Sequence, residues 1–130
     1  MWAAPVWYVY DEDLTIYWWS PVESQHSRNI EKNQDVYITI FDSTAPEGDG
    51  FGLYVRAAAS LVDESELEKA MSLYNDSTTV FKMNPENCSG NSPTRMYKAV
   101  PSKIWMNEDS TENGQFIDIR TETSIDELTS

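Results

Sequence analysis

The chain has 130 residues and 14.9 kDa, with 22 acidic against 9 basic residues, a net charge of −13 and an isoelectric point near 4.2. Such acidity argues against nucleic acid and anionic membrane surfaces as partners, because both repel it. An apolar share of 40%, with 5 Trp and 7 Tyr beside 4 Phe, predicts a packed fold rather than a disordered chain.

The length suits one core, and a single domain over residues 1–123 with a tail at 124–130 is expected. No stretch of 18 apolar residues is present, and no charged-then-apolar start precedes a cleavage site, so neither a membrane span nor a signal peptide is expected. The one cysteine, Cys88, has no partner for an internal disulfide, which fits a cytoplasmic protein.

Trp2 to Tyr10 (WAAPVWYVY) is a β-rich run, Asp11-Glu12-Asp13 is a turn, and Leu14 to Trp19 is a second run, together a hairpin. Ser20-Pro21-Val22-Glu23 has capping-box spacing with proline at the first helical position. The helix therefore starts at Ser20 or one turn later at Ser24, and ends near Asn33. Asp35 to Asp42 alternates Val36, Ile38 and Ile40 with Tyr37, Thr39 and Phe41, which predicts a strand covered on both faces.

Ser43 to Gly50 is loop chemistry, and Phe51 to Val62 is the next strand. Within that strand Ala57 to Ala59 marks a place where something bulky packs close. Asp63-Glu64-Ser65-Glu66 is an acidic helix start, followed by Leu67, Ala70, Met71 and Tyr74 at helical spacing. Asn75 to Arg95 is polar and rich in Asn, Ser and Pro, as a functional or mobile loop would be. Met96 to Met106 and Phe116 to Thr123 are the last strands, divided by a polar loop ending at Asn113-Gly114, and Ile125 to Ser130 is expected to fray.

Short strands with two helices predict a mainly β architecture, a small mostly antiparallel barrel with flanking helices. The surplus of Trp and Tyr calls for a ligand cleft or a subunit interface. Ser24-Gln25-His26 at a helix start puts a hydroxyl, an imidazole and free backbone N–H groups together, a place to hold an anion such as a phosphate. Arg28 either reaches that anion from the side or pairs with Glu23 or Glu31 on the surface. His26 is the sole histidine, so a metal site lacks ligands. The many carboxylates single out no acid–base pair, and no nucleophile elbow, Walker loop or dinucleotide glycine pattern is present. Any chemistry would belong to a cofactor.

The segments PVWYVYDEDLTIYWWS, SQHSRNIEKNQDVYITIFD, LYVRAAASLVDESELEKA and YKAVPSKIW, in that order between Pro5 and Arg120, resemble the FMN-binding split-barrel family. That family includes pyridoxamine 5′-phosphate oxidases and general-stress flavoproteins. The resemblance implies a split β-barrel that binds FMN as a homodimer with two shared sites. It places the aromatic and hydroxyl pair at Trp19 and Ser20, and the phosphate grip at Ser24, Gln25 and His26. The strand along the isoalloxazine falls on Pro5 to Tyr8, hence Val6, Trp7 and Tyr8, and the tryptophan supplied by the second subunit falls on Trp105.

Three departures accompany it. The Arg and Lys that true oxidases carry on the inner hairpin strand are absent, with Ala3 and Tyr8 there instead; their glutamine falls on Gly52; and the family's first helix and strand precede the point where this chain begins. The expected function is an FMN-dependent oxidoreductase of the general-stress type, and not a pyridoxamine phosphate oxidase. A split barrel that has lost its flavin, or a small-molecule carrier barrel, is the alternative, and a deazaflavin in place of FMN stays open.

Overall fold

The computed structural model describes residues 1–47, 50–78, 80–112 and 114–129, and side chains outside 109–112 and 116–118. Parts of the expected loops at Ser43–Gly50, Asn75–Arg95 and Asn113-Gly114, and the final Ser130, thus lie outside the described residues.

Six strands and three helices follow in the order β1 (Tyr8–Tyr10), β2 (Ile16–Pro21), α1 (Gln25–Lys32), β3 (Asp35–Phe41), β4 (Gly52–Leu61), α2 (Glu64–Ser77), β5 (Thr94–Glu112), β6 (Gln115–Thr123) and α3 (Ile125–Thr129). A 3-10 turn, Pro85–Cys88, precedes β5. The strands form one open antiparallel sheet ordered β1-β2-β5-β4-β3, with β6 also on β5. The expected mainly β architecture with flanking helices is what the chain adopts, with the sheet left unclosed and a third helix added.

β5 organises the sheet. β4 runs along residues 97–106 of β5, while β2 (along 94–99) and β6 (along 104–112) follow one another beside it. The changeover lies at Pro101-Ser102, where proline offers no N–H to a ladder and the register against β4 shifts between Arg56 and Ala57. The Ser102 hydroxyl donates to the Arg56 carbonyl at 3.0 Å and holds that bulge.

Strand alternation sends residues to two cores. One holds Ile16, Trp18, Val55, Ala57, Ala59, Tyr97, Ala99 and Ile104, with Ile30 of α1. The Trp18 and Tyr97 rings stack in it with centroids 5.9 Å apart. Ala57 and Ala59, with Ala99 opposite Ala59, leave the room those rings occupy. The second core, on the opposite face, joins Val9, Tyr17 and Met96 to Ala70, Met71 and Tyr74 of α2 and to Met83 and Cys88.

Several boundaries differ from expectation for local reasons. Residues 1–7 are exposed and carry no regular structure, so β1 is three residues rather than a run from Trp2. Ser20 pairs with Arg95 within the sheet, which removes it as a helix start; Ser24 caps α1 instead, its Oγ accepting from the Ser27 N–H. β3 is covered on one face only: Val36, Ile38 and Ile40 pack on the first core, whereas Tyr37 is 55% and Phe41 67% exposed. Of the three alanines, Ala58 is exposed. α2 runs on to Ser77, β5 and β6 extend toward each other as a long hairpin, and Ile125–Thr129 is helical.

The β1–β2 turn is over-determined. Asp11 is buried, and its Oδ1 accepts from the N–H groups of Asp13 at 2.9 Å and Thr15 at 3.0 Å. Its Oδ2 accepts from the Tyr17 hydroxyl at 3.2 Å and from Lys69 at 3.4 Å. Leu14 in this turn sits at φ +61°, a strained left-handed backbone for leucine, while its side chain packs on the first core.

Candidate functional site

At the start of α1, four polar side chains converge. His26 Nε2 lies 2.9 Å from Ser20 Oγ and 3.3 Å from Ser24 Oγ. Ser24 Oγ lies 2.8 Å from Ser27 Oγ and 2.9 Å from the Pro21 carbonyl, to which its hydroxyl donates. β2 delivers Ser20 and the cap geometry delivers the rest, so the expected grouping of Ser20, Ser24 and His26 is physically assembled. Gln25 is beside it but turned outward, its amide donating to Asn29 at 2.8 Å. Arg28 is exposed, with no ion pair to Glu23 or Glu31 among the described residues.

The electrostatics of this cluster are neutral. Burial lowers the His26 pKa from its ordinary value, so the imidazole is uncharged at neutral pH. Anion contact there would come from hydroxyls, a neutral ring and the amides of Gln25 and His26, which have no carbonyl one turn back to bond. Most hydroxyl hydrogen bonds close within the cluster, and Ser20 and Ser27 are buried. An incoming phosphate would meet the Ser24 and His26 side first.

A separate open cleft of about 650 Å³ is lined by Val6 to Tyr10, Phe41, Ser43, Leu73, Asp76 and Ser77. Val6, Trp7 and Tyr8 thus stand together as expected. β1 and β3 are opposite edges of the sheet, and the cleft shows that curling brings the end of β3 toward β1. The β1–β2 register pairs Tyr8 with Trp18, two residues before Ser20 on β2. The cleft and the hydroxyl cluster therefore flank one stretch of the β1–β2 hairpin. Burial, and then the neighbouring Tyr10, raise the Tyr8 pKa, so its phenol stays protonated.

Two expected residues lie elsewhere. The Trp19 ring stacks on Phe81 at 5.1 Å, and its indole N–H points to the Asn87 carbonyl at 3.5 Å, which commits it to the face opposite Ser20. Trp105 stacks on Tyr37 at 6.0 Å and lines neither cleft nor cluster. A Cβ built on Gly52 would lie 3.1 Å from Tyr54 Oη, so a glutamine could not occupy that position without moving the Tyr54 ring. Arg120 covers that ring at 3.8 Å. Phe41, Leu73 and Asp76 escaped the sequence reading because three distant segments meet only through the curl of the sheet.

No family model matches the sequence, and no curated protein does. Solved structures do match. A heme-binding protein from Mycobacterium smegmatis aligns at TM-score 0.66 with 14% identity, over 92% of this chain and 47% of its own. A 5-nitroimidazole antibiotic resistance protein from Bacteroides thetaiotaomicron, so named provisionally, aligns at TM-score 0.60 with 16% identity, over 78% of this chain and 64% of its own. A Listeria innocua protein provisionally named as a pyridoxamine 5′-phosphate oxidase aligns at TM-score 0.53 with 22% identity, over 78% of this chain and 73% of its own. The chain spans about half the length of the first two structures it matches, 47% and 44%. These likenesses establish the fold, that of the pyridoxamine-phosphate-oxidase-like split barrels.

Proposed function

We propose that the chain binds FMN and serves as a flavin-dependent oxidoreductase of the general-stress type. The observation that carries the reading is the hydrogen-bonded group Ser20–Ser24–His26 at the start of α1, with Ser20 on the same hairpin as Tyr8 of the aromatic cleft. The phosphate is held by the Ser24 and His26 side chains and the first amides of α1, and the ring lies along Trp7 and Tyr8. Bound flavin supplies the redox chemistry; the chain's own residues orient it and limit water at its face. Among the described residues no Lys or Arg bonds to the cluster, so the affinity rests on dipoles and hydroxyls rather than on charge.

The reading includes a homodimer. The face of β3 bearing Tyr37 and Phe41 is uncovered, and Trp105 stands beside Tyr37 on that face. A second copy seated over Tyr37 would bring Trp105 toward a shared site and leave Phe41 to line the cleft. Oxidation of pyridoxamine phosphate is not expected, because two phosphates close together need several Arg or Lys.

The test is FMN titration of the purified protein by flavin fluorescence, alongside sedimentation. Binding with one FMN per chain, weakened at least about fivefold, or ~1 kcal/mol, by His26→Ala, is the expected result. A protein that takes up no FMN at millimolar ligand is a binding module without flavin, and the reading fails.

A further inference from the structure

The cleft at β1 carries a charge preference of its own. It is lined by Trp7, Tyr8, Tyr10, Phe41 and Leu73, and among the described residues that line it only Asp76 is charged. Trp7, Tyr10 and Phe41 are 66%, 60% and 67% exposed, so their ring faces are available. Asp76 makes no hydrogen bond or ion pair among the described residues, and it belongs to the last turn of α2, the negative end of that helix. The nearest cation in sequence, Lys82, donates to the carbonyls of Asn75 and Thr78 and does not line the cleft. Aromatic faces with an unpaired carboxylate at one end attract a cation both through the ring quadrupoles and through direct charge. The net charge of −13 adds to that attraction at long range.

We infer that this cleft favours a planar aromatic cation over a neutral or anionic ring of the same size. The inference rests on the cleft being the ring site proposed above and adds the charge of the ring it prefers. A flat ring stacks between the exposed aromatics while its positive charge lies toward Asp76.

The probes are N-methylacridinium, acridine and anthracene-9-carboxylate, which share a three-ring frame and differ in charge at pH 7.5. Each is titrated into flavin-free protein at low salt and followed by tryptophan fluorescence. The expected order is the cation about fivefold tighter than acridine, with the carboxylate weakest. Asp76→Asn brings the cation-to-acridine ratio to within about twofold of one and leaves acridine binding unchanged. Glu23→Gln, which removes one exposed charge outside the cleft, leaves the ratio as in the parent and so separates a local effect from the field of the whole protein. Equal affinity for cation and acridine in the parent protein, or a ratio insensitive to Asp76→Asn, overturns the inference; so does failure of all three probes to bind.

FMN is titrated into the same proteins. His26→Ala weakens FMN without altering the cation ratio, whereas Asp76→Asn is read on the cation-to-acridine ratio alone. Loss of FMN binding with the ratio intact would therefore reject the flavin reading alone, and FMN binding without the ratio would reject this one.

Discussion

Replacing Asp11 by alanine should unfold this protein more readily than almost any other single polar change. The carboxylate is 4% exposed and accepts from two backbone N–H groups, the Tyr17 hydroxyl and Lys69. Lys69 is 52% exposed, so water screens its ion pair and little is lost there. The greater loss is the buried donors left without an acceptor, at ~1–3 kcal/mol each and less than additive. Asp11 also helps hold Leu14 in its left-handed backbone, a strain of roughly 1–3 kcal/mol that would otherwise favour opening the turn. Together these give a loss of about 3–4 kcal/mol for Asp11→Ala, or a fall of roughly 10–15 °C in Tm for a domain of this size. Asp11→Asn keeps one acceptor oxygen for the two N–H groups and should cost about 1–2 kcal/mol. Urea denaturation at pH 7, followed by tryptophan fluorescence, gives both values. A loss under about 1 kcal/mol for Asp11→Ala would refute the claim that this carboxylate fixes the hairpin.

The same pair has an alkaline signature, because burial, then the Asp11 charge and hydrogen bond, push the Tyr17 pKa up to about 12. The protonated phenol is favoured in the fold, so its contribution is complete below pH 10 and vanishes as pH rises through 12; Tyr17→Phe should remove that loss from the pH–stability profile. For His26 the sign is reversed: burial lowers its folded pKa, so stability is full above about pH 6.5 and declines as pH falls toward and through the folded value. The single histidine resonance in a proton NMR titration should show a midpoint below 6.5, and a midpoint above it would contradict the buried neutral ring. Trp18 Nε1 is buried with no hydrogen-bond partner among the described residues, so Trp18→Phe should cost under about 1.5 kcal/mol while Trp18→Ala costs about 3–5 kcal/mol. Cys88 is buried with its thiol pKa raised by burial, so thiol reagents should label it only on unfolding, and rapid labelling of native protein would show that pocket to be open.

The local motifs were legible because local chemistry decides them. The Ser24 cap, the acidic start of α2 and the buried stripe Ala70, Met71 and Tyr74 each depend on neighbours within a few residues, and each formed. The choice between Ser20 and Ser24 was not local. It was settled by β5, whose Arg95 pairs with Ser20 and draws it into the sheet. The polar stretch 107–112 has no apolar alternation to announce a strand, and it is extended because β6 folds back along it. The exposure of Tyr37 and Phe41 is not legible in the sequence, because alternation reports apolar character and not what covers it.

The two candidate features differ in what they can hold. The hydroxyl cluster gathers donors without a positive side chain, and the cleft gathers rings beside a carboxylate. A dianionic phosphate and a cationic ring have opposite requirements, and the two features present opposite chemistry at separate places. The β1–β2 hairpin carries residues of both, with Ser20 in the cluster, Tyr8 in the cleft, and Tyr8 paired to Trp18 two residues before Ser20. Its geometry is held from below by Asp11, and so the stability of a turn outside both features governs their alignment. A variant such as Asp11→Asn, which weakens the turn without touching cleft or cluster, should therefore lower FMN affinity and cation affinity together, whereas His26→Ala lowers FMN affinity alone. Loss of only one affinity in Asp11→Asn would show that the hairpin does not couple them.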